Sequence, residues 1–544
     1  MNRSIASGVL SVVSAKVVVL VVTAISTPLL YRLLGVSQFG EYSFLLSVFA
    51  IYMIFVSSGI TDGVRKFLAE DRGAEHWEAN VVSFYFRLAV VFALVGAALM
   101  VVAARFGVVA AAFGETFVPY FYALALLVIT AQFRDYARKT LMGFGLERYS
   151  EPLKTFDTIG FVLVAIPLAA LGFGVAGALA GHLVASLSVG LAGLYVVNRR
   201  QSLSCVFTSP SSRFPRREML TFNSMSIVLV FLLMSLYHID IIMLQRFRVS
   251  SEVGNYKAAL TLAEFLWFVP LALQTVYVHS TSELWSQNRY RKISSLASRT
   301  TRYTFLLTAV MAIGLAALAD VAVPLYFGSD AEPAVEPLIL LLPGALGFAL
   351  ARPILAISQG NGQLRYPVAA TGVAAGINVV LNFLLIPRFG MHGAAVATSI
   401  GYGSMFAFHV VSARTIGFNP LSDARLSQAM ATAGLAGLPI FALATAIQNP
   451  WLALVVVPPV GLAIFLGFAV LLGALDPAEP FEILAIAPDP IGSVASRVCR
   501  RLQSTAGDSP VAMGQSLLVA IGLSLLVSGL VLSLVGPGIG VTQP

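Results

Sequence analysis

Three basic residues stand deep inside long apolar stretches: Lys16, Arg87 and Arg352. A charge in hydrocarbon is expensive, so such residues face a polar interior, pair locally or serve a polar cargo. Lys16 has long apolar runs on both sides; facing a cavity, its ammonium attracts a phosphate, the alternative being a structural pair or a snorkelling side chain. Arg352 precedes Pro353, which opens a helix at that point, so it suits a head-group contact or a bond to loosened carbonyls. Arg87, one or two turns into its run, can also reach the interface. Arg65 and Lys66 follow Asp62 where the second run ends, at the mouth of any cavity on that side. Lys16, Arg87, Arg352 and Arg65 are therefore the candidate contacts for an anionic head group. A second set is polar. Asn378 and Asn382 share one helical face at i, i+4, and Ala394 and Thr398 have the same spacing on the next run. Asp240, with His238 two residues before it, lies near the end of another. Bonding between helices is the competing reading of this set. Glu264 could couple protons, while His182, His279 and His409 read as packing residues.

The elements that position these residues are membrane helices. Of 544 residues, 58% are hydrophobic and 11% charged, with mean hydropathy +0.86. That balance excludes a soluble globular, disordered, collagenous or disulfide-stapled chain. Apolar runs of membrane-spanning length recur at about 6–33, 41–61, 80–104, 118–137, 155–171, 175–197, 220–245, 256–280, 303–326, 336–356, 366–386, 391–413, 427–447, 451–474 and 512–536. Fourteen or fifteen spans follow. The first is too long for a signal-peptide core and reads as a retained helix. Cys205 and Cys499 sit in separate polar linkers, which argues against a disulfide or a zinc site. The net charge of +8 does not indicate nucleic acid, because the basic residues lie in short segments between apolar runs.

Orientation follows from those segments. Of 34 lysines and arginines, Lys16, Arg87 and Arg352 are deep in runs, and Arg32, Arg105, Arg246, Arg248, Lys257 and Arg388 fall in alternate segments on one side. The other 25 lie opposite, which sets the amino terminus and the segments 132–154, 198–217 and 281–302 in the cytoplasm. The chain also repeats itself. Ser37-Gln38-Phe39-Gly40-Glu41-Tyr42 returns as Ser251-Glu252-Val253-Gly254-Asn255-Tyr256, offset by 214. Gly145-Leu146-Glu147-Arg148-Tyr149 returns as Gly362-Gln363-Leu364-Arg365-Tyr366, offset by 217, and Phe173-Gly174-Val175-Ala176-Gly177-Ala178 returns as Phe389-Gly390-Met391-His392-Gly393-Ala394, offset by 216. Six spans per repeat is even, so the repeat is parallel, a plan in which two bundles rock around a site between them. The expected architecture is an all-α polytopic membrane protein: a six-helix lobe at 1–200, a cytoplasmic linker at 201–218 and a second lobe at 219–415. Extra transmembrane helices occupy 416–544, interrupted by a polar linker at 475–510.

With Leu34-Gly35-Val36-Ser37-Gln38-Phe39-Gly40-Glu41-Tyr42, Asp240-Ile241-Ile242-Met243-Leu244, Val253-Gly254-Asn255-Tyr256 and the Gly-x-x-Gly turns, the chain resembles the multidrug/oligosaccharidyl-lipid/polysaccharide exporter superfamily. More narrowly it is similar to its polysaccharide transporter branch, the Wzx-type flippases, over about residues 1–415. The resemblance implies a MATE-like fold of two pseudo-symmetric lobes and a polyprenyl or dolichyl (pyro)phosphate oligosaccharide carried from the cytoplasmic to the outer leaflet by alternating access. It also implies a sodium site like that of lipid II flippases, here formed by Asp240, Asn378, Asn382, Ala394 and Thr398. One position departs from that pattern, Asn382 standing where an acid is usual. No resident cofactor is expected, and Na+ or H+ coupling is left open. Partners would be the lipid-linked oligosaccharide, membrane lipids and other polysaccharide assembly proteins, with no nucleic acid, in the plasma membrane.

Two alternatives compete. A MATE-like cation-coupled drug exporter would carry acids in the cavity of the first lobe, where the first helix offers Lys16 and helices five and six offer only Asp157 near an inner end. A membrane polysaccharide polymerase or ligase would need a large outer loop, and every outer segment is short. No phosphate loop, metalloprotease helix or nucleophile elbow is present, so a transporter and not an enzyme is expected.

Overall fold

A computed structural model describes residues 2–479 except 71, 73–75, 209–213 and 223, together with 493, 496 and 497; for 2–17, 224–226, 275, 276, 279 and 280 it describes the backbone alone. Among the described residues every regular element is helical, as hydrocarbon requires, since a helix satisfies its own N–H and C=O groups. In chain order the helices are α1 (Asn2–Met53), α2 (Gly59–Ala69), α3 (Trp77–Arg105), α4 (Val108–Phe113), α5 (Val118–Gly143), α6 (Glu147–Ala170), α7 (Gly174–Arg200) and α8 (Arg216–Thr221). There follow α9 (Ser224–Phe247), α10 (Ser250–Glu264), α11 (Phe268–Ser286), α12 (Tyr290–Ala317), α13 (Ala319–Phe327), α14 (Val335–Gly360), α15 (Arg365–Ile416), α16 (Leu426–Ala446) and α17 (Pro450–Leu471). A π-helical turn, Ile54–Ser58, joins α1 to α2.

Twelve helical stretches are long and apolar enough to cross a membrane. Two of them, Val18–Ala69 and Arg365–Ile416, have 52 residues each, roughly 78 Å at the helical rise and well over twice the hydrocarbon thickness. Each breaks at a glycine, Gly35 (φ 73°, ψ 162°) and Gly390 (φ 56°, ψ −133°), backbone angles that a β-carbon disfavours. With each broken stretch taken as two crossings, every run read between 6 and 474 is helical over most of its described residues. The run at 512–536 lies outside the described residues, as does all of the 475–510 linker beyond Glu479 except the isolated positions.

Helix limits differ from the hydropathy reading. The segment 132–154, expected as a cytoplasmic loop, is helical except at 144–146, so Arg134, Arg138, Lys139, Arg148 and Lys154 all lie on α5 or α6. Gly145, at φ 68°, makes the turn. Capping explains other limits: Asn449 accepts bonds from Trp451 N and Leu452 N at 3.0 and 3.2 Å to start α17, with Pro450 in its first turn.

The described residues form two compact units. One holds those up to Leu260, Tyr326–Pro337 and Thr371–Gly401; the other holds Thr261–Leu325, Leu338–Ala370 and those from Tyr402 onward. In the first, α5, α6 and α7 pack closely through small residues, with Gly181 against Ala165 and Gly193 against Ala137. In the second, Phe305, Ala436, Ile440, Val457 and Phe465 form a core that fastens α16 and α17 to α12. A buried ion pair, Arg302 Nη2 to Glu479 Oε1 at 2.5 Å, closes the same junction.

Candidate functional site

The polar set picked out on three helices is gathered in the first unit. Gly390 folds α15 back on itself, so Asn378 and Asn382 before the break meet Thr398 after it. The fold-back is tight: a β-carbon on Gly401 would lie 2.6 Å from Asn378 Cβ. Asn382 Nδ2 donates to Asn378 Oδ1 at 3.1 Å, and Asn378 Nδ2 donates to Thr398 Oγ1 at 3.3 Å. Thr398 Oγ1 donates in turn to Asp240 Oδ2 at 3.1 Å. Asp240 also accepts from the Tyr256 hydroxyl and, through Oδ1, from Ile241 N at 2.8 Å. Asp240, Asn378, Asn382 and Thr398 are all fully buried. Within this hydrogen-bonded set one buried acceptor has no donor, Asn382 Oδ1. Ala394, buried one turn from Thr398, can offer only its carbonyl.

Hydroxyl, amide and carboxylate oxygens are the donors a hard cation takes. One carboxylate balances one monovalent charge, whereas a divalent ion would leave a charge uncompensated in hydrocarbon. Asn382 Oδ1, a buried acceptor lacking a donor, is a ready position for such an ion. These residues therefore fit Na+. Among the described residues no three His, Cys, Asp or Glu side chains converge, so the donor set is not that of a transition-metal centre. Glu264 is placed elsewhere, half-buried at the end of α10 in the second unit.

Tyr256 was not read as a site residue, yet it belongs to the repeated motif, and the repeat recurs in the contacts. Its counterpart Tyr42 bonds His182 Nε2 at 2.8 Å, and His182 stacks on Phe161 with centroids 4.0 Å apart. His182 and Phe161 lie 216 and 217 residues before Thr398 and Asn378. The position 214 residues before Asp240 is Ser26, so the first repeat has no acid there.

The head-group candidates have separate settings. Only the backbone of Lys16 is described. Arg65 pairs with Asp62 at 3.8 Å, which Lys139 also approaches at 3.5 Å. Arg87 is engaged by the linker, donating to Val206 O at 2.9 and 2.6 Å and to Thr208 O at 2.5 Å. Arg352 is buried in the second unit, 4.5 Å from the centroid of Phe348, whose ring packs with Trp267 and Tyr402.

A further charged group was missed because it lies in the supposed loop. Arg134 bonds Asp157 at 3.1 Å, Ser186 at 2.9 Å and Asp135 at 2.9 and 3.2 Å. The two acids are thus offset by one arginine in the helices of the first repeat.

Comparison with known proteins agrees with this fold. Among solved structures, lipid II flippase MurJ in an inward closed conformation superposes with TM-score 0.61 at 14% identity, over 84% of this chain and 98% of that one. An inward-facing multidrug resistance MATE family transporter of the MOP superfamily gives 0.60 at 16% identity, over 79% and 96%. In sequence, the chain is 26% identical over 174 residues to a probable low-salt glycan biosynthesis flippase, Agl15, of Haloferax volcanii, covering 31% of this chain and 36% of that protein. It is 27% identical over 153 residues to lipid II flippase MurJ of Bacillus subtilis, covering 27% and 28%. These alignments span about a third of the relatives' length. The profile of the polysaccharide biosynthesis protein family, however, matches residues 29–336, more than half of the sequence. The chain belongs to that family, and its fold is the one shared by MurJ and the MATE transporters.

Proposed function

We propose that this protein flips a lipid-linked oligosaccharide, carried on a polyprenyl or dolichyl phosphate or pyrophosphate, from the cytoplasmic to the outer leaflet of the cell membrane. The six-helix repeats of 1–200 and 219–415 are the moving parts, the amino terminus is cytoplasmic, and a monovalent cation held by Asp240, Thr398, Asn378 and Asn382 drives the cycle. The supporting observation is the fully buried relay of polar groups that runs from the single carboxylate of Asp240 through Thr398 and Asn378 to Asn382, whose Oδ1 has no donor. Such a group is costly to keep in hydrocarbon and is expected where an ion is bound and released. The named relatives that are flippases point to the cargo.

The residues divide the work in a simple way. A bound cation neutralises Asp240, and its loss leaves a buried charge that favours a rearranged helix packing. Lys16 and Arg352 remain the proposed contacts of the phosphate. The same fold also serves multidrug export, but that reading is disfavoured because Asp135 and Asp157, the acids that could attract an organic cation, both bond Arg134. Deletion in the host should remove lipid-linked sugar from the outer face while its synthesis inside continues. Accumulation of a fluorescent organic cation in the deletion strain, with outer glycolipid intact, would contradict the proposal.

A further inference from the structure

The segment joining α7 to α9 is expected to be a solvated loop, yet it is bound to the flank of α3. Asn198 Oδ1 accepts from Leu203 N at 2.8 Å and Ser202 caps the turn Leu203–Phe207. Arg87 then grips the carbonyls of Val206 and Thr208, the two residues either side of Phe207. Past the undescribed stretch the chain is fastened again. Phe214 packs on Trp77 and Phe84 at 5.7 and 5.6 Å, and Met219 is buried with its carbonyl accepting from Tyr85. Glu218 is bound by Arg72 at 2.7 and 3.0 Å.

What this fastening leaves outside is unusual for a loop in water. Phe207 is 91% exposed and Leu220 62%. The flanking helix ends carry Arg199, which donates to the Tyr195 phenol, and the exposed Arg217. Their depth can be placed. From Arg105, the outer end of α3, about 30 Å of hydrocarbon takes roughly twenty residues and ends within a turn of Arg87. Phe207, pinned between two carbonyls that Arg87 holds, therefore lies at the boundary of hydrocarbon and head groups. There its ring enters acyl chains while the arginines meet phosphates.

We propose that this linker is a membrane-surface anchor whose partner is the anionic phospholipid of the leaflet it faces. The proposal does not depend on what the protein transports, only on the bilayer spanned by α3. It differs from ordinary flanking charge in being built from a turn held at fixed depth by Arg87.

The test uses the full chain in nanodiscs. The four native tryptophans are subtracted by comparing Phe207→Trp with the unsubstituted protein. The added emission should be quenched by lipids brominated near the head group and shielded from aqueous iodide. Emission open to iodide and untouched by brominated lipid, as a site in water would give, overturns the anchor. Lipid preference is read separately, from the ratio of phosphatidylglycerol to phosphatidylethanolamine retained on purification. In Arg199→Gln/Arg217→Gln that ratio should fall about thirty-fold, each of the two arginines near a charged surface counting for about 1 kcal/mol. An unchanged ratio overturns the anionic partner. Both substitutions fall at exposed positions, and the unfolding midpoint is followed to confirm an intact fold.

Discussion

A methyl group at Gly40 has nowhere to go. Built onto the backbone, a β-carbon there falls 1.9 Å from Ser250 O and 2.8 Å from Gly254 N. One on Gly254 falls 2.0 Å from Val36 O. The pairing is reciprocal: Gly40 and Gly254, like Val36 and Ser250, are 214 residues apart, so each repeat presents a glycine to the other's carbonyl. An ordinary carbon–oxygen contact is about 3.3 Å, so Gly40→Ala must part the two segments by about 1.4 Å. Backbone and not a flexible side chain is in the way, and the expected cost is about 1–3 kcal/mol for each single alanine. Because one separation serves both methyls, Gly40→Ala/Gly254→Ala should cost less than the sum of the singles by at least about 0.5 kcal/mol. The assay is a double-mutant cycle on unfolding in nanodiscs, followed by tryptophan fluorescence. Strict additivity, or a Gly40→Ala protein as stable as the parent, would show that the segments do not meet in this way.

Other consequences are as direct. Tyr256→Phe removes the phenol that orients Asp240 and should raise the cation concentration for half-maximal transport about ten-fold, a charge-assisted bond being worth about 1.5–3 kcal/mol. Tyr42→Phe, its repeat counterpart beside His182, should leave that concentration unchanged. Glu479→Ala strands the Arg302 guanidinium, which is 2% exposed, and should destabilise by about 3–5 kcal/mol, whereas Arg302→Leu/Glu479→Leu should recover most of the loss in a thermal melt. Arg425, at 2.9 and 3.1 Å, holds the Asp476 carboxyl below its ordinary range. A carboxyl lowered on folding stabilises above its unfolded value, about 3.9, and loses that contribution as pH falls through the folded one. Amide exchange over 472–479 should thus accelerate, relative to the rest of the chain, at pH 3 in the parent. In Asp476→Asn it should already be fast at pH 7.

Why some of this was legible and some not has physical reasons. Asp240, Asn378, Asn382 and Thr398 stand out because polar residues interrupt apolar runs, and i, i+4 spacing puts pairs on one face. Their meeting depends on the break at Gly390, which the repeated turn motif marks. Tyr256 was hidden because an aromatic residue near a helix start reads as packing, and its polar role comes from its bonds to Asp240 and Thr398. Arg134 and Asp135 were passed over because hydropathy ends a span at the first charge, while α5 itself continues to Gly143 with its charges partnered. Arg87 was recognised as an intramembrane charge, but its acceptors are backbone carbonyls of a distant linker, for which side-chain types carry no signal. The gatherings at Gly40 and Gly254 were visible as a repeated motif, not as a contact.

The most direct measurement places purified protein in liposomes with a labelled polyprenyl-pyrophosphate saccharide and follows its arrival in the opposite leaflet under an imposed sodium or proton gradient. Arrival that needs the protein, is driven by one of the two gradients and loses that dependence in Asp240→Asn is the predicted result. Movement equally fast without protein, or a gradient dependence that survives Asp240→Asn intact, would contradict the coupling of a buried carboxylate to the passage of a charged lipid.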